Sequence, residues 1–320
     1  MSQFLVTGGA GFIGSNIVEF LLKKGCGVRV LDNFSSGKEA NLVFTKTYST
    51  KKFELIRGDI RDQKICDKAC QGMDYVLHQA ALRSVPKSLT EPISFNDVNI
   101  NGLVCMLQAS LKHKVKRFVF ASSSSVYGEA KKFPQTEDLV PQLISPYALT
   151  KLAGEHYCRI FSDFHGLSTV CLRYFNVFGT RQPWDDEYAV VIPKFIHCLL
   201  NDEAPPIFGT GRQSRDFTYI DNIVSANHLA AIAPGVKHAV LNVGVGENHS
   251  VLALVGVLNE IFGKMAKPKL LAKRPGDVFK THADISRTKR IIKYKPLVNF
   301  NEGLKRTVKY LRNHSGKSSS

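Results

Sequence analysis

Short apolar runs alternate with amphipathic stretches through the first half of the chain. QFLVTGG, GVRVLDN, KFELIRGDI, MDYVLHQAA, VKRFVFASSSS and LSTVCLRYFNV each read as a strand. Helical patterns lie between most of them, including Gly14–Lys24, Asn96–Lys112 and Tyr147–His165. The strands are apolar at nearly every position rather than at every second one. Such strands are buried on both faces, and their alternation with helices predicts a parallel sheet covered on both sides. The fold class is therefore α/β, a Rossmann-type doubly wound sheet.

The pattern breaks after Asn176. GTRQPWDDEY is turn-rich, and shorter elements follow. Two later pieces still look like sheet-domain material, the helical DNIVSANHLAAI and the strand-like AVLNVG. The expected organisation is a sheet domain over 1–176 to which about 218–245 returns. A smaller, interrupted α/β domain spans 177–217 and 246–312, and 313–320 is a disordered tail.

Composition narrows this picture without changing it. At 320 residues and 44% hydrophobic, the chain can bury a sizeable core. No stretch approaches the run of about 20 apolar residues that a membrane span needs. The start, MSQFLVTGG, lacks a basic and then apolar leader and reads directly as a strand. The seven cysteines are scattered, with no C-x-x-C pair. Reduced thiols, a cytoplasmic location and no metal site are expected. The formal charge is +16, and Lys264–Ser320 holds 16 Lys and Arg against three acids, a net of +13. One reading is affinity for nucleic acid; the other, preferred because no nucleic-acid motif accompanies the charge, is a basic face around a phosphate-bearing ligand.

LVTGGAGFIGS follows the first strand and opens the first helix. Gly9, Gly11 and Gly14 fit G-x-G-x-x-G, and Gly8, Gly11 and Gly14 fit T-G-x-x-G-x-x-G. Glycines there permit a tight turn and let the backbone approach a pyrophosphate, which the helix N-terminus then receives. Asp32 ends the second strand, 18 residues after Gly14. A carboxylate at that place accepts ribose hydroxyls and repels a 2′-phosphate, so NAD is the expected cofactor, although Lys38 is nearby. Asp59, after the third strand, is either an adenine contact or an ordinary loop acid.

Tyr147 and Lys151 stand four residues apart on one face of a helix opened by Ser145 and Pro146. The bland reading is a solvated lysine beside a half-buried tyrosine. The sharper one starts from Ser123, at the end of the fifth strand and 24 residues before Tyr147. Strand end and helix start then face one crevice. Taking hydride from an alcohol carbon requires taking the hydroxyl proton too. A free tyrosine, with a pKa of about 10, is a poor base near neutrality. A neighbouring ammonium and a positive nicotinamide favour its phenolate. Ser123 can bridge the substrate hydroxyl to that oxygen.

With TGGAGFIG, LDNFSSG, GDI, HQAA, SSSSVYG, YALTK, RYFNVFG, SRDFTYIDN and RPGD in view, the chain resembles the extended short-chain dehydrogenase/reductases. It resembles more closely their NAD-dependent UDP-hexose 4-epimerases, over about residues 3–310. AALRSVPKS, YAVVIPKF and SRDFTYIDN resemble the subgroup acting on UDP-N-acetylglucosamine. The resemblance implies Ser123, Tyr147 and Lys151 as catalytic residues. It implies Gly8, Gly11, Phe12, Ile13, Gly14, Asp32, Asn33, Phe34, Ser35, Ser36, Gly37, Asp59, Ile60, Gln79, Ala80, Ala81, Arg83, Asn99, Tyr147, Lys151 and Phe175 around NAD. It implies Ser84, Ser123, Ser124, Tyr147, Asn176, Gln182, Val190, Lys194, Ile207, Phe208, Arg215, Arg274, Asp277 and Thr281 around the UDP-sugar. It also implies a homodimer in which Asn96–Lys112 and Tyr147–His165 pair with their copies as a four-helix bundle. Leu103, Leu107, Leu152 and Phe161 would serve that bundle or the core equally.

Related dehydratases carry Asp-Glu where this chain has Ser124 and Ser125, so dehydration lacks its acid and base. Thr281 matches a position where relatives restricted to non-acetylated sugars carry a bulky aromatic, and a small residue leaves room for an N-acetyl group. Two positions depart from the acetylated-sugar pattern: Arg83 and Val190 replace smaller residues. Arg83 equally suits a substrate carboxylate, as in a UDP-hexuronate. The expected preference runs from acetylated hexoses through plain hexoses to hexuronates. A dinucleotide-binding sensor without activity is the alternative of a different class.

Overall fold

The computed structural model describes residues 1–184, 191–272 and 278–314. Seven parallel strands form its main sheet: β1 (Gln3–Thr7), β2 (Gly27–Asp32), β3 (Phe53–Arg57), β4 (Tyr75–His78), β5 (Arg117–Ser123), β6 (Thr169–Tyr174) and β7 (His238–Val243). Their spatial order is β7-β6-β5-β4-β1-β2-β3. The order reverses between β1 and β4, which pair directly. At such a switch the crossovers diverge to opposite faces and leave a crevice beyond the strand ends. Apolarity at successive positions has the predicted cause. Phe4 and Val6 pack into one core layer while Leu5 packs into the other; Val119 and Ala121 oppose Phe118 and Phe120 in the same way.

The helices that matter for the site are α1 (Phe12–Lys23), α2 (Gly102–Lys112), α3 (Pro146–His165), α4 (Ile220–Ile232) and α5 (Phe300–His314). The expected helix over Asn96–Lys112 is longer and less regular: Pro92–Asn96 runs through a π-helical stretch, Asp97–Asn101, into α2. α4 packs on α1 and β5, and β7 adds a parallel strand beside β6. The second lobe is built from Val191–Leu200, Val251–Phe262 and α5, which pack on one another. Short pairings join Pro206–Phe208 to Lys269–Leu271 and Ser214–Arg215 to His249–Ser250. α5 extends through His314, two residues into the segment expected to be a tail.

α3 starts where its sequence says. The Ser145 hydroxyl accepts the Ala148 N–H, Pro146 occupies the first turn, and Gly166 ends the helix at φ 73°. One turn beyond Lys151, Glu155 turns inward. Its carboxylate takes Arg173 in a fork, Nε to Oε1 at 2.9 Å and Nη2 to Oε2 at 2.7 Å. The Ser122 hydroxyl donates to the same carboxylate at 2.5 Å. Helix α3, β5 and β6 are thereby joined through one buried group. Arg173 also lies over the Tyr127 ring, and the Tyr127 hydroxyl donates to Asn242 of β7 at 2.7 Å.

Glu155→Ala should lower unfolding free energy in urea by about 3–5 kcal/mol, because it strands a buried guanidinium. Asp163→Ala, which breaks the exposed Arg159–Asp163 pair on the same helix, should cost less than about 1 kcal/mol. Equal costs would remove the special standing of the buried pair.

Candidate active site

A cleft of about 730 Å³ opens at the carboxyl edge of the sheet. Its first wall is the glycine loop. Gly8 has φ 67°, and a Cβ there would sit 2.8 Å from the Ala80 backbone nitrogen. A Cβ on Gly14 would lie 2.1 Å from the Gly8 carbonyl oxygen. Both positions exclude side chains, so the loop stays low against β4. Gly11 caps α1 without any side-chain hydrogen bond, leaving the helix N-terminus facing the cleft. Asp32 Oδ2 accepts the Ala10 N–H and Oδ1 the Phe34 N–H, each at 2.8 Å. These bonds pin the loop, and each carboxylate oxygen keeps capacity for one more donor. An uncapped helix end, a bare backbone floor and a carboxylate 18 residues on are the donor and acceptor set that a dinucleotide requires, so the residues present fit NAD.

Most of the expected cofactor positions line this cleft: Gly8, Gly11, Phe12, Ile13, Gly14, Asp32, Asn33, Ser35, Ser36, Gly37, Asp59, Ile60, Gln79, Ala80, Ala81, Arg83, Tyr147 and Lys151. Asp59 has little acceptor capacity left. It takes the Arg61 N–H and Nε on one oxygen and Asn33 and Arg61 Nη2 on the other. The Arg61 guanidinium holds its carboxyl down at about 2. Three expected cofactor residues stand off the cleft. Phe34, at φ 58°, lies under the Arg57 guanidinium. Phe175 is fully buried core. Asn99 is buried and acts as a clamp: its amide holds the Leu82 N–H and carbonyl and donates to Thr150 of α3 at 3.0 Å.

The opposite wall carries the candidate catalytic residues. Ser123 ends β5, Ser124 and Ser125 open the turn that follows it, and Tyr147 enters from the first turn of α3. The Tyr147 phenol and the Ser123 hydroxyl face the same cleft, and the Tyr147 ring stands edge-on to Phe95. Lys151 Nζ donates to the Ala121 carbonyl at 2.8 Å and sits 5.8 Å from the Tyr147 ring centre. Burial pushes the phenol above its ordinary value, opposed by the Ser123 hydroxyl and the Arg83 charge. Burial also brings the Lys151 ammonium down to about 8. The Arg83 charge favours the phenolate, and Lys151 is turned to the Ala121 carbonyl one helical turn away.

On the substrate side, Ser84, Ser123, Ser124, Asn176, Gln182, Arg215 and Thr281 line the cleft. Lys194 is exposed on Val191–Leu200, Ile207 is core, and Phe208 is half-buried in a short strand; none of the three lines it. Val190, Arg274 and Asp277 lie outside the described residues. Two residues matter that were not assigned from sequence. Tyr174 closes a hydrogen-bonded ring with Gln79 and Asn227 at the cleft floor. Asp216, with no exposed surface, accepts the Val245, Gly246 and Ala283 N–H groups and so ties the second lobe's loops together. Its signal was its place inside SRDFTYIDN. Of the residues suited equally to bundle or core, Leu103, Leu107 and Phe161 are core, and Leu152 is half-buried against it.

The arrangement suits moving a proton at a carbinol oxygen beside a bound dinucleotide. Comparison with known proteins agrees in kind. The family described as NAD dependent epimerase/dehydratase matches residues 4–244. A putative UDP-glucose 4-epimerase of Methanocaldococcus jannaschii is 35% identical over 315 residues, 98% of this chain and 99% of that protein. The structure of a UDP-N-acetylglucosamine 4-epimerase from Methanobrevibacter ruminantium, in complex with UDP-N-acetylmuramic acid, superposes with TM-score 0.92. It is 39% identical, with 98% of this chain and 99% of that one covered. A UDP-glucuronic acid 4-epimerase from Bacillus cereus, solved with UDP-glucuronic acid and NAD, gives TM-score 0.90 at 35% identity, covering 98% and 99% of the two chains. The chain belongs to the NAD-dependent epimerase/dehydratase family of enzymes, and its cofactor is NAD.

Proposed function

We propose that the protein is a UDP-sugar 4-epimerase whose first substrates are UDP-N-acetylglucosamine and its galactose epimer. The observation that carries this is the convergence of Tyr147 and Ser123 on one cleft wall whose next residues are Ser124 and Ser125. A proton can be taken and returned there, but no carboxylate stands beside them to eliminate water. Tyr147 takes the 4-hydroxyl proton, with Ser123 bridging, and returns it after the ketone has turned over in the pocket. Lys151 steadies the wall and, one turn from the phenol, can hold a ribose hydroxyl. NAD, when bound, supplies the hydride acceptor that becomes the donor on the return step, so net redox is zero. Asp32 and the α1 N-terminus would hold it.

Sugar choice follows from size and charge. Thr281 lines the cleft where a bulky aromatic would fill it, which favours an acetylated sugar. A second reading has one specific support: Arg83 lines the same cleft and its charge reaches the Tyr147 phenol. A guanidinium so placed suits a UDP-hexuronate carboxylate.

We also propose a homodimer. On α3, Leu149, Ile160 and Phe164 are exposed along one helical stripe, Phe164 at 80%, and Ile93 is 84% exposed on Pro92–Asn96. An apolar stripe of this kind calls for a partner, and a second copy supplies one.

The deciding experiment is an epimerisation panel over UDP-Glc, UDP-GlcNAc and UDP-GlcA with NAD-loaded protein, products being separated chromatographically. Turnover of UDP-GlcNAc without added cofactor is expected; failure on all three removes the proposal. Tyr147→Phe should reduce turnover by about 10²–10⁴-fold while leaving bound NAD intact, and near-normal turnover would discard the base. Arg83→Gln should move the rising limb of the pH–rate profile to higher pH, because removing a cation disfavours the phenolate. An unmoved limb, or selective loss of UDP-GlcA turnover alone, assigns Arg83 to substrate instead. Sedimentation should return the mass of two chains, and Phe164→Asp should return one; a wild-type monomer ends the dimer reading.

A further inference from the structure

Thr281 is more than a small residue in a pocket. It is 5% exposed, and its backbone is held at both ends. Its N–H donates to the Ser214 carbonyl at 3.1 Å, and its carbonyl accepts Asn248 Nδ2 at 2.6 Å. Its hydroxyl stands between two groups. The Asp216 N–H lies 3.2 Å away, and the Asn176 amide 2.8 Å away. Asn176 is fixed as well: its φ is 22°, and its carbonyl accepts the Thr218 N–H at 3.1 Å. What remains open in Asn176 is which end of the amide faces Thr281 and which faces the cleft.

The donor inventory decides it. A backbone N–H can only donate, so the Thr281 oxygen accepts from Asp216. The hydroxyl proton then needs an acceptor, and the Asn176 carboxamide oxygen is the one within reach. The opposite amide orientation would give the hydroxyl two donors and leave its own proton buried without an acceptor. Asn176 therefore presents Oδ1 to Thr281 and leaves Nδ2, which carries no hydrogen bond to any described residue, toward the cleft it lines.

We infer that Thr281 is a positioning residue: its hydroxyl relays the polarity of the Asp216 N–H and locks Asn176 as a donor toward the diphosphate of the bound nucleotide. This rests on the reading of the cleft as a UDP-sugar site. Arg215, whose Nη1 donates to the Ser214 and Phe279 carbonyls, lines the same cleft from the residue next to Asp216, so the cleft carries a second group that can only donate. That is what a diphosphate requires and what a sugar hydroxyl, which must also donate, does not. The role belongs to the hydroxyl, not to side-chain volume.

Calorimetric titration of NAD-loaded protein with UDP separates these. Thr281→Val keeps the volume and loses the hydroxyl; Thr281→Ala loses both; Thr281→Ser keeps the hydroxyl. UDP affinity should fall about tenfold in the Val and Ala variants and return to within about twofold of wild type in Ser. In epimerisation, the same loss should raise KM more than it lowers kcat. If Val does not fold, the Ala and Ser pair still carries the comparison. Affinities equal to wild type in Val and Ala overturn the relay. So does a loss in Ser as large as in Ala, which would mean that packing decides. Wild-type protein that binds no UDP overturns the reading of the cleft itself, and the relay with it.

Discussion

One buried carboxylate holds the cleft wall together. Glu155 receives Ser122 from β5 and Arg173 from β6 while standing on the helix that carries Tyr147 and Lys151. Ser122 is the neighbour of Ser123, so the strand residue facing the interior and the one facing the cleft are fixed by a single contact. Burying an ion pair is no free gain in stability, since desolvation offsets most of the attraction. What it supplies is register: α3 cannot slide along the sheet without stranding a charge. A phenol and a seryl hydroxyl on different elements can then face one cleft before any ligand arrives.

From this junction, polar contacts run outward to the second lobe. Arg173 covers Tyr127, Tyr127 donates to Asn242, and Asn242 Nδ2 donates to the carbonyls of Gln135 and Asp284. Gln135 in turn accepts the His282 N–H on Oε1. The segment carrying Thr281 is thus referenced to α3 through hydrogen-bonded side chains and backbone, not through apolar packing alone. Each of these bonds joins a donor to an acceptor, while Gln135 Nε2 is buried with no partner among the described residues.

Much of this was legible in the sequence, and the unread part has physical reasons. Near-continuous apolar strands announce burial on two faces, so the sheet and its glycine loop could be read directly. That Tyr147, Lys151 and Ser123 would line one cleft could be read because strand end and helix start fix where they stand. Phe34, Phe175, Asn99 and Ile207 were assigned to ligands by resemblance; the structure has them as packing or as a clamp, because a motif preserves supporting residues as faithfully as contacting ones. Leu103, Leu107 and Phe161 were equally suited to core or interface, and only exposure separates them from Leu149, Ile160 and Phe164. The Glu155–Arg173–Tyr127–Asn242 chain joins positions far apart along the sequence, and no local pattern advertises such a contact. The influence of Arg83 on the phenol depends on where a flexible side chain points, which no local pattern sets.

The late arrival of β7 has a further consequence. A strand contributed after Asn176 closes the sheet edge beside β6, and its Asn242 binds Gln135 from the first lobe and Asp284 from the second. The nucleotide-binding half therefore lacks a complete sheet until most of the polypeptide has been synthesised. Emergence of residues 1–176 from a ribosome would leave β6 as an open apolar edge, so maturation of both lobes should be a single cooperative event late in translation.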